Sequence, residues 1–131
     1  MGLIYLDTCL LIYLTQQHPA WGPAVGKAMQ KSRGARFGLS SLVKLECLVG
    51  PIKQHDAVLQ QAYEGLFDRF VSLDLPEPVF IAAAHLRAHF GLKTPDALHL
   101  ACAQHHGCTA LWTNDNRLKQ AAHGLAVNVL V

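Results

Sequence analysis

Residues 3–14 read Leu-Ile-Tyr-Leu-Asp-Thr-Cys-Leu-Leu-Ile-Tyr-Leu, two strongly apolar runs divided by Asp7 and Thr8. The first run, Leu3 to Leu6, is short and continuous, the pattern of a strand buried on both faces. The second carries Leu10, Leu11 and Leu14 at helical spacing, so a helix is expected from about Thr8. A strand buried on both faces belongs to a parallel sheet covered by helices.

The rest of the chain continues the alternation. A helix is expected after Pro23, with Val25, Ala28 and Met29 on one face, then a weak strand from Arg36 to Leu39. Ser40 and Ser41 are N-cap candidates for a helix carrying Leu42, Leu45, Cys47 and Leu48, with Gly50-Pro51 as its stop. Val58, Leu59, Ala62 and Leu66 mark another helix, followed by a strand near Phe70 to Leu73. Val79, Ala82, Ala83, Leu86 and Phe90 line a helix from Glu77 to Phe90. Thr94-Pro95-Asp96 supplies an N-cap and a proline at the first helical position for a helix that stops near Gly107. Ala110 to Thr113 is a strand candidate, Arg117 to His123 a short helix, and Val127 to Val131 a closing strand. The expected fold is α/β: one three-layer domain over residues 1–131, with a central parallel sheet of about five strands flanked by helices.

At 131 residues the chain is long enough for one proper core and too short for two. It is 51% hydrophobic and only 15% charged, so part of its apolar surface is expected to be covered by a partner such as a second copy. A net charge of +2 permits a nucleic-acid substrate without arguing for one. Cys9, Cys47, Cys102 and Cys108 lie in apolar periodic segments without CxxC spacing, and read as buried thiols of a reducing cytosol. The N-terminus lacks a signal peptide's basic flank and cleavage site, and its apolar stretch is too short to span a bilayer. A cytoplasmic location is therefore expected.

Four carboxylates fall at the ends of core elements rather than on polar faces. They are Asp7, Glu46 in SSLVKLECLVG, Asp96 in KTPDALHLACA and Asp115 in ALWTNDNRL. Desolvating an unpaired carboxylate is expensive, and a divalent cation with oxygen ligands would resolve the conflict. Asp7 and Asp115 each follow an expected strand, and open parallel sheets bind ligands outside the carboxyl ends of their strands. Asp96 lies in the first turn of its helix, where the macrodipole favours negative charge. Glu46, more than a turn into its helix, has to reach toward the same crevice. An all-oxygen set suits Mg²⁺ or Mn²⁺ better than Zn²⁺. Taken singly, Asp96 reads as a helix-terminal charge, Asp115 as a turn residue and Glu46 as a solvated helix position; Asp7, which divides two strongly apolar runs, is the hardest to dismiss. No P-loop or GxGxxG pattern is present.

The joint order of these pieces resembles the PIN-domain nucleases, and within them the VapC-type toxin ribonucleases of type II toxin–antitoxin systems. The matching pieces are the N-terminal strand ending in Asp7-Thr8, Ser40 with Glu46 and Gly50, Thr94-Pro95-Asp96-Ala97-Leu98-His99-Leu100-Ala101, and Thr113-Asn114-Asp115. Each is short; the four in this order span essentially the whole chain, and no acidic position departs from the family's pattern. The resemblance implies a carboxylate-bound Mg²⁺ or Mn²⁺ and hydrolysis of RNA, tRNA or rRNA being the expected substrates. It assigns metal binding mainly to Asp7 and Asp96, completion of the site and orientation of water to Glu46 and Asp115, and supporting hydrogen bonds to Thr8 and Thr113. Products with a 5′-phosphate and a 3′-hydroxyl follow from that chemistry. A partner antitoxin and a homodimer are implied as well. An RNA-processing or DNA-flap nuclease of this fold without an antitoxin, and a non-catalytic binding protein of the same fold, are the alternatives.

Other residues read more plainly. His85 and His89, four apart, form a polar flank of their helix. His99 lies one turn after Asp96 and reads first as a packed helix histidine, second as a group touching substrate or holding the carboxylate. His105 and His106 near a helix end are favourable dipole partners. Arg117, Lys119 and Lys44 are candidate phosphate contacts. Trp21, Trp112 and Phe37 form no basic-aromatic stacking pattern.

Overall fold

The computed structural model describes residues 2–130. Strand β1 (Leu3–Leu6) leads into helix α1 (Thr8–Thr15), then α2 (Trp21–Lys31), β2 (Arg36–Ser40), α3 (Ser41–Lys53) and α4 (Ala57–Phe67). The chain continues through β3 (Val71–Leu73), α5 (Glu77–Phe90), α6 (Thr94–His105), β4 (Ala110–Trp112), α7 (Leu118–Ala122) and β5 (Ala126–Val127). The strands form one parallel sheet in the order β3-β2-β1-β4-β5. This is the α/β architecture expected from the alternation of apolar runs.

The strand order reverses on either side of β1. From β1 the chain moves outward to β2 and β3, then returns to place β4 on the other flank of β1. The carboxyl ends of β1 and β4 therefore border the switch point, the place where such sheets open a crevice. Tyr5, Leu6, Leu39 and Leu111 are fully buried in the sheet, against Leu10, Leu11, Val25, Val43 and Leu100 of the helices. Gly38 on β2 permits close packing: a Cβ there would lie 2.9 Å from Leu73 Cδ1 and 3.3 Å from Leu3 Cδ1. Helix α5 ends where Gly91 takes a left-handed φ of 68°, which a side chain would resist.

Four local expectations are corrected. Helix α2 begins at Trp21, two residues before Pro23, because a proline in the first turn removes only an N–H that has no intrahelical partner. Helix α3 runs through Gly50-Pro51 to Lys53; so near the end, Pro51 removes little of the hydrogen-bond ladder, and its carbonyl accepts from Asp56 N at 2.9 Å. Helix α6 has Lys93 rather than Thr94 at its cap position. The closing strand shrinks to Ala126–Val127, since Asn128 Oδ1 accepts from Leu130 N at 2.9 Å and turns the chain off the sheet. Val131, the end of the expected strand, lies outside the described residues.

Candidate active site

Asp7 caps α1 at the carboxyl end of β1. Its Oδ1 accepts from Thr8 N at 2.7 Å, and its Oδ2 accepts from Thr113 Oγ1, just past β4, at 2.6 Å. Thr113 Oγ1 in turn accepts from Asp115 N at 3.1 Å, so one hydroxyl joins the two strand ends. Thr8 Oγ1 points the other way and donates to Glu46 Oε1 at 2.6 Å. The expected supporting hydroxyls thus sit between the carboxylates and donate to two of them.

Glu46 also meets His99 Nε2 at 2.7 Å, on the same oxygen that Thr8 reaches. His99, in α6, is 2% exposed. Its Nδ1 lies 2.7 Å from the Tyr5 hydroxyl, which lies 2.8 Å from Ser40 Oγ. Ser40 stands at the cap position of α3 yet makes no side-chain cap bond, because its hydroxyl is spent on Tyr5. Burial would raise the Glu46 carboxyl, but hydrogen bonds from His99 and Thr8 outweigh it and hold Glu46 below the usual range.

The other two acids stand differently. Asp96, in the first turn of α6, has no hydrogen-bonding partner among the described residues; burial and then the Asp115 and Asp7 charges push its carboxyl up. Asp115 is clamped by Arg117, whose Nε and Nη2 donate to its two oxygens at 3.1 and 2.9 Å. That pairing outweighs partial burial and lowers the Asp115 carboxyl. Arg117 is thereby engaged within the chain, where the sequence suggested a phosphate contact. A cleft of about 440 Å³ opens beside Asp96, lined by Phe90, Lys93, Asn116, Arg117 and Gln120.

The fold thus brings all four acids to one sheet edge. Among the described residues, no three His, Cys, Asp or Glu side chains close into a ready-made ligand cage. Asp7 and Glu46 instead accept from threonine and histidine donors, and Asp115 from Arg117. The donor set still suits a hard cation. The acids offer only oxygen, and Asp96 is a half-buried carboxylate on which burial and the Asp115 and Asp7 charges outweigh the attraction of Arg117 and His99. Cys9, beside the Asp7 charge, and Cys47, beside the Glu46 and Asp7 charges, are pushed up to about 12, chiefly by burial, and stay protonated thiols.

The PIN domain family model matches residues 4–124, nearly the whole chain. The chain belongs to the PIN domain family. PIN domains are nucleases, generally dependent on a divalent metal. No curated protein matches the sequence. Among solved structures, this PIN domain is similar to a chain of a toxin–antitoxin complex from Klebsiella pneumoniae, at 24% identity and TM-score 0.78, covering 96% of this chain and 97% of that one. It is also similar to a chain of VapBC2 from Rickettsia felis bound to a DNA fragment from their promoter, at 19% identity and TM-score 0.80, with 96% and 98% covered. A chain of FitAcB from Neisseria gonorrhoeae aligns at 18% identity and TM-score 0.71, with 96% and 97% covered. At such identities the likeness is one of fold.

Reading the sequence of this PIN domain alone missed the Ser40–Tyr5–His99 link. Its one local signal was a tyrosine inside a doubly buried strand, whose hydroxyl must find a partner. His99 is packed, as first expected, and it also holds a carboxylate, Glu46 rather than the Asp96 on its own helix face. His85 and His89 are exposed, as a polar flank should be. His106 Nε2 lies 2.8 Å from the Asp74 carbonyl and ties the end of α6 to the loop after β3. Cys47, Cys102 and Cys108 are buried free thiols, and Cys9 is half-buried. No described helix is long and apolar enough to cross a membrane.

Proposed function

We propose that this PIN domain, taken as the whole of residues 1–131, is a Mg²⁺- or Mn²⁺-dependent endoribonuclease and the toxin of a cytoplasmic toxin–antitoxin pair. The observation that carries the catalytic reading is Asp96: an unpartnered carboxylate, pushed up by burial and by Asp115 and Asp7, at the switch-point crevice of the sheet. A bound divalent cation, held by Asp7, Glu46, Asp96 and Asp115, would supply Lewis-acid stabilisation of phosphate charge and a more acidic water. Thr8 and Thr113 hold the Glu46 and Asp7 carboxylates in place. Lys93 borders the cleft beside Asp96, where an RNA phosphate would meet it.

The toxin reading draws on the toxin–antitoxin complexes among the similar folds. It draws also on exposed apolar surface that a partner would cover. Leu45, Val49 and Ile52, at i, i+4 and i+7 on α3, are 59%, 55% and 52% exposed, and Val58 is 80% exposed. An antitoxin protein and a second copy of the chain are the partners we assign to such surface.

The test incubates metal-stripped protein with total tRNA and rRNA, with and without Mg²⁺ or Mn²⁺, beside Asp7→Asn protein purified identically. We expect metal-dependent cleavage giving 5′-phosphate and 3′-hydroxyl ends, reduced roughly 100- to 1,000-fold in the variant. Equal cleavage by both proteins would overturn the site. Products ending in a 2′,3′-cyclic phosphate would overturn the hydrolytic chemistry, because they require the RNA's own 2′-hydroxyl as nucleophile. Cleavage without toxicity on expression would favour an RNA-processing enzyme, and no cleavage a binding protein.

A further inference from the structure

Glu46 shows an asymmetry between its two oxygens. Oε1 receives both Thr8 Oγ1 and His99 Nε2, at 2.6 and 2.7 Å, while Oε2 has no hydrogen-bonding partner within the chain. The carboxylate is reached from two helices, and among the described residues both donors choose the same atom. His99 Nε2 stands 3.6 Å from Asp7 Oδ1, too far for a hydrogen bond, so of the two acids Nε2 serves Glu46.

The far side of the ring is fixed just as firmly. Tyr5 is fully buried, and its hydroxyl, pushed well above its ordinary value first of all by burial, keeps its proton. An ionised Glu46 can only accept, so Nε2 carries a hydrogen. In a neutral ring Nδ1 accepts from the Tyr5 O–H, which leaves the Ser40 hydroxyl to donate to Tyr5. With a neutral ring, these contacts are met by the Nε2–H tautomer of His99. The four residues come from β1, the end of β2, α3 and α6, so the chain ties the sheet to both helices that carry site carboxylates.

We propose that His99 is a positioning residue: anchored through Tyr5 and Ser40, it holds Glu46 by Oε1 and leaves Oε2 as the oxygen directed at the cation or its water. This rests on the metal-dependent reading above and deepens it. A histidine that merely filled the core would need a partner for Tyr5 but not for Glu46, and amide substitutions separate the two roles. His99→Gln places an amide near the Nε2 position and can still donate to Glu46. His99→Asn places one near Nδ1 and can serve only Tyr5. His99→Leu serves neither.

The experiment measures Mn²⁺ binding by the loss of free-ion EPR signal, with the thermal midpoint of each variant recorded beside it. Two-bond ¹H–¹⁵N spectra of the wild-type protein read the tautomer of His99. We expect the Nε2–H tautomer, Mn²⁺ affinity weakened roughly 10- to 100-fold in His99→Leu and His99→Asn, and most of it recovered in His99→Gln. Tyr5→Phe, which unties the ring without touching Glu46, is expected to weaken binding by less. Equal affinity in the Gln and Asn variants, or an Nδ1–H ring, would overturn the proposal. Should the histidine variants fail to fold, Tyr5→Phe and the wild-type spectrum decide it: unchanged Mn²⁺ affinity in Tyr5→Phe, or a ring with no hydrogen on Nε2, overturns it. Mn²⁺ binding without RNA cleavage would overturn the nuclease reading alone. A wild-type protein that binds no Mn²⁺ would overturn both.

Discussion

The two halves of the carboxylate site are built on different principles. Asp7 and Glu46 form an inner half, gripped by Thr8, Thr113 and the buried His99 at 2.6–2.7 Å. Asp96 and Asp115 form an outer half: one has no partner, and the other is held by an exposed arginine two residues along. Donors in the inner half are fixed by the core, so their carboxylates are oriented before anything binds. In the outer half the electrostatic strain falls on Asp96, while Asp115 is held by a partner from its own loop rather than by the core. The site thus combines two carboxylates anchored by the core with two held from outside it, and the difference is open to test.

The inner half should break hardest. Thr113→Val removes the donor to Asp7 Oδ2 and the acceptor of Asp115 N at a residue 2% exposed. Leaving such groups unpaired is expected to cost about 1–3 kcal/mol, read by urea denaturation in the presence of a chelator. Unchanged stability would mean that the core, not the hydroxyl, orients Asp7.

The outer half should show the opposite sign. The Asp96 carboxyl lies above its ordinary 3.8 in the folded protein, so its ionised form costs folding free energy once both states are deprotonated. Asp96→Asn is therefore expected to raise the melting temperature at neutral pH in a chelator. The gain should shrink as pH falls through the folded value and vanish below 3.8, where the acid is neutral in both states. With Mg²⁺ the order should reverse, since the variant loses a ligand. A lower melting temperature in chelator would show that Asp96 is satisfied after all.

Arg117→Gln is the mildest change. The pair with Asp115 is solvent-exposed on the arginine side, so thermal stability should not move measurably. The Asp115 carboxyl should instead rise toward its ordinary value, read by NMR titration. An unmoved Asp115 would remove Arg117 from the account of the outer half.

Much of this was legible in the chain. Leu3–Leu6 and Ala110–Thr113 read as strands because doubly buried strands are short and apolar throughout, and the acids that follow them had to emerge at one sheet edge. The misreadings lie where a local rule met a local exception. Gly50-Pro51 is a stop signal, but a proline that late in α3 costs little. Val127 to Val131 has strand composition, yet the Asn128 turn ends the pairing first. Ser40 sits where a cap belongs, and its hydroxyl was taken by a residue 35 positions away.

By itself, then, the sequence determined the alternation of elements, the parallel sheet and the identity and order of four acids, because periodicity and chain punctuation are local properties. Only the tertiary structure decided how those acids are held. Tyr5 and His99 stand 94 positions apart and His99 and Glu46 stand 53 apart, and no pattern along the chain encodes which donor reaches which oxygen. That depends on how α3 and α6 settle over β1, where burial obliges each polar group to find a partner in space.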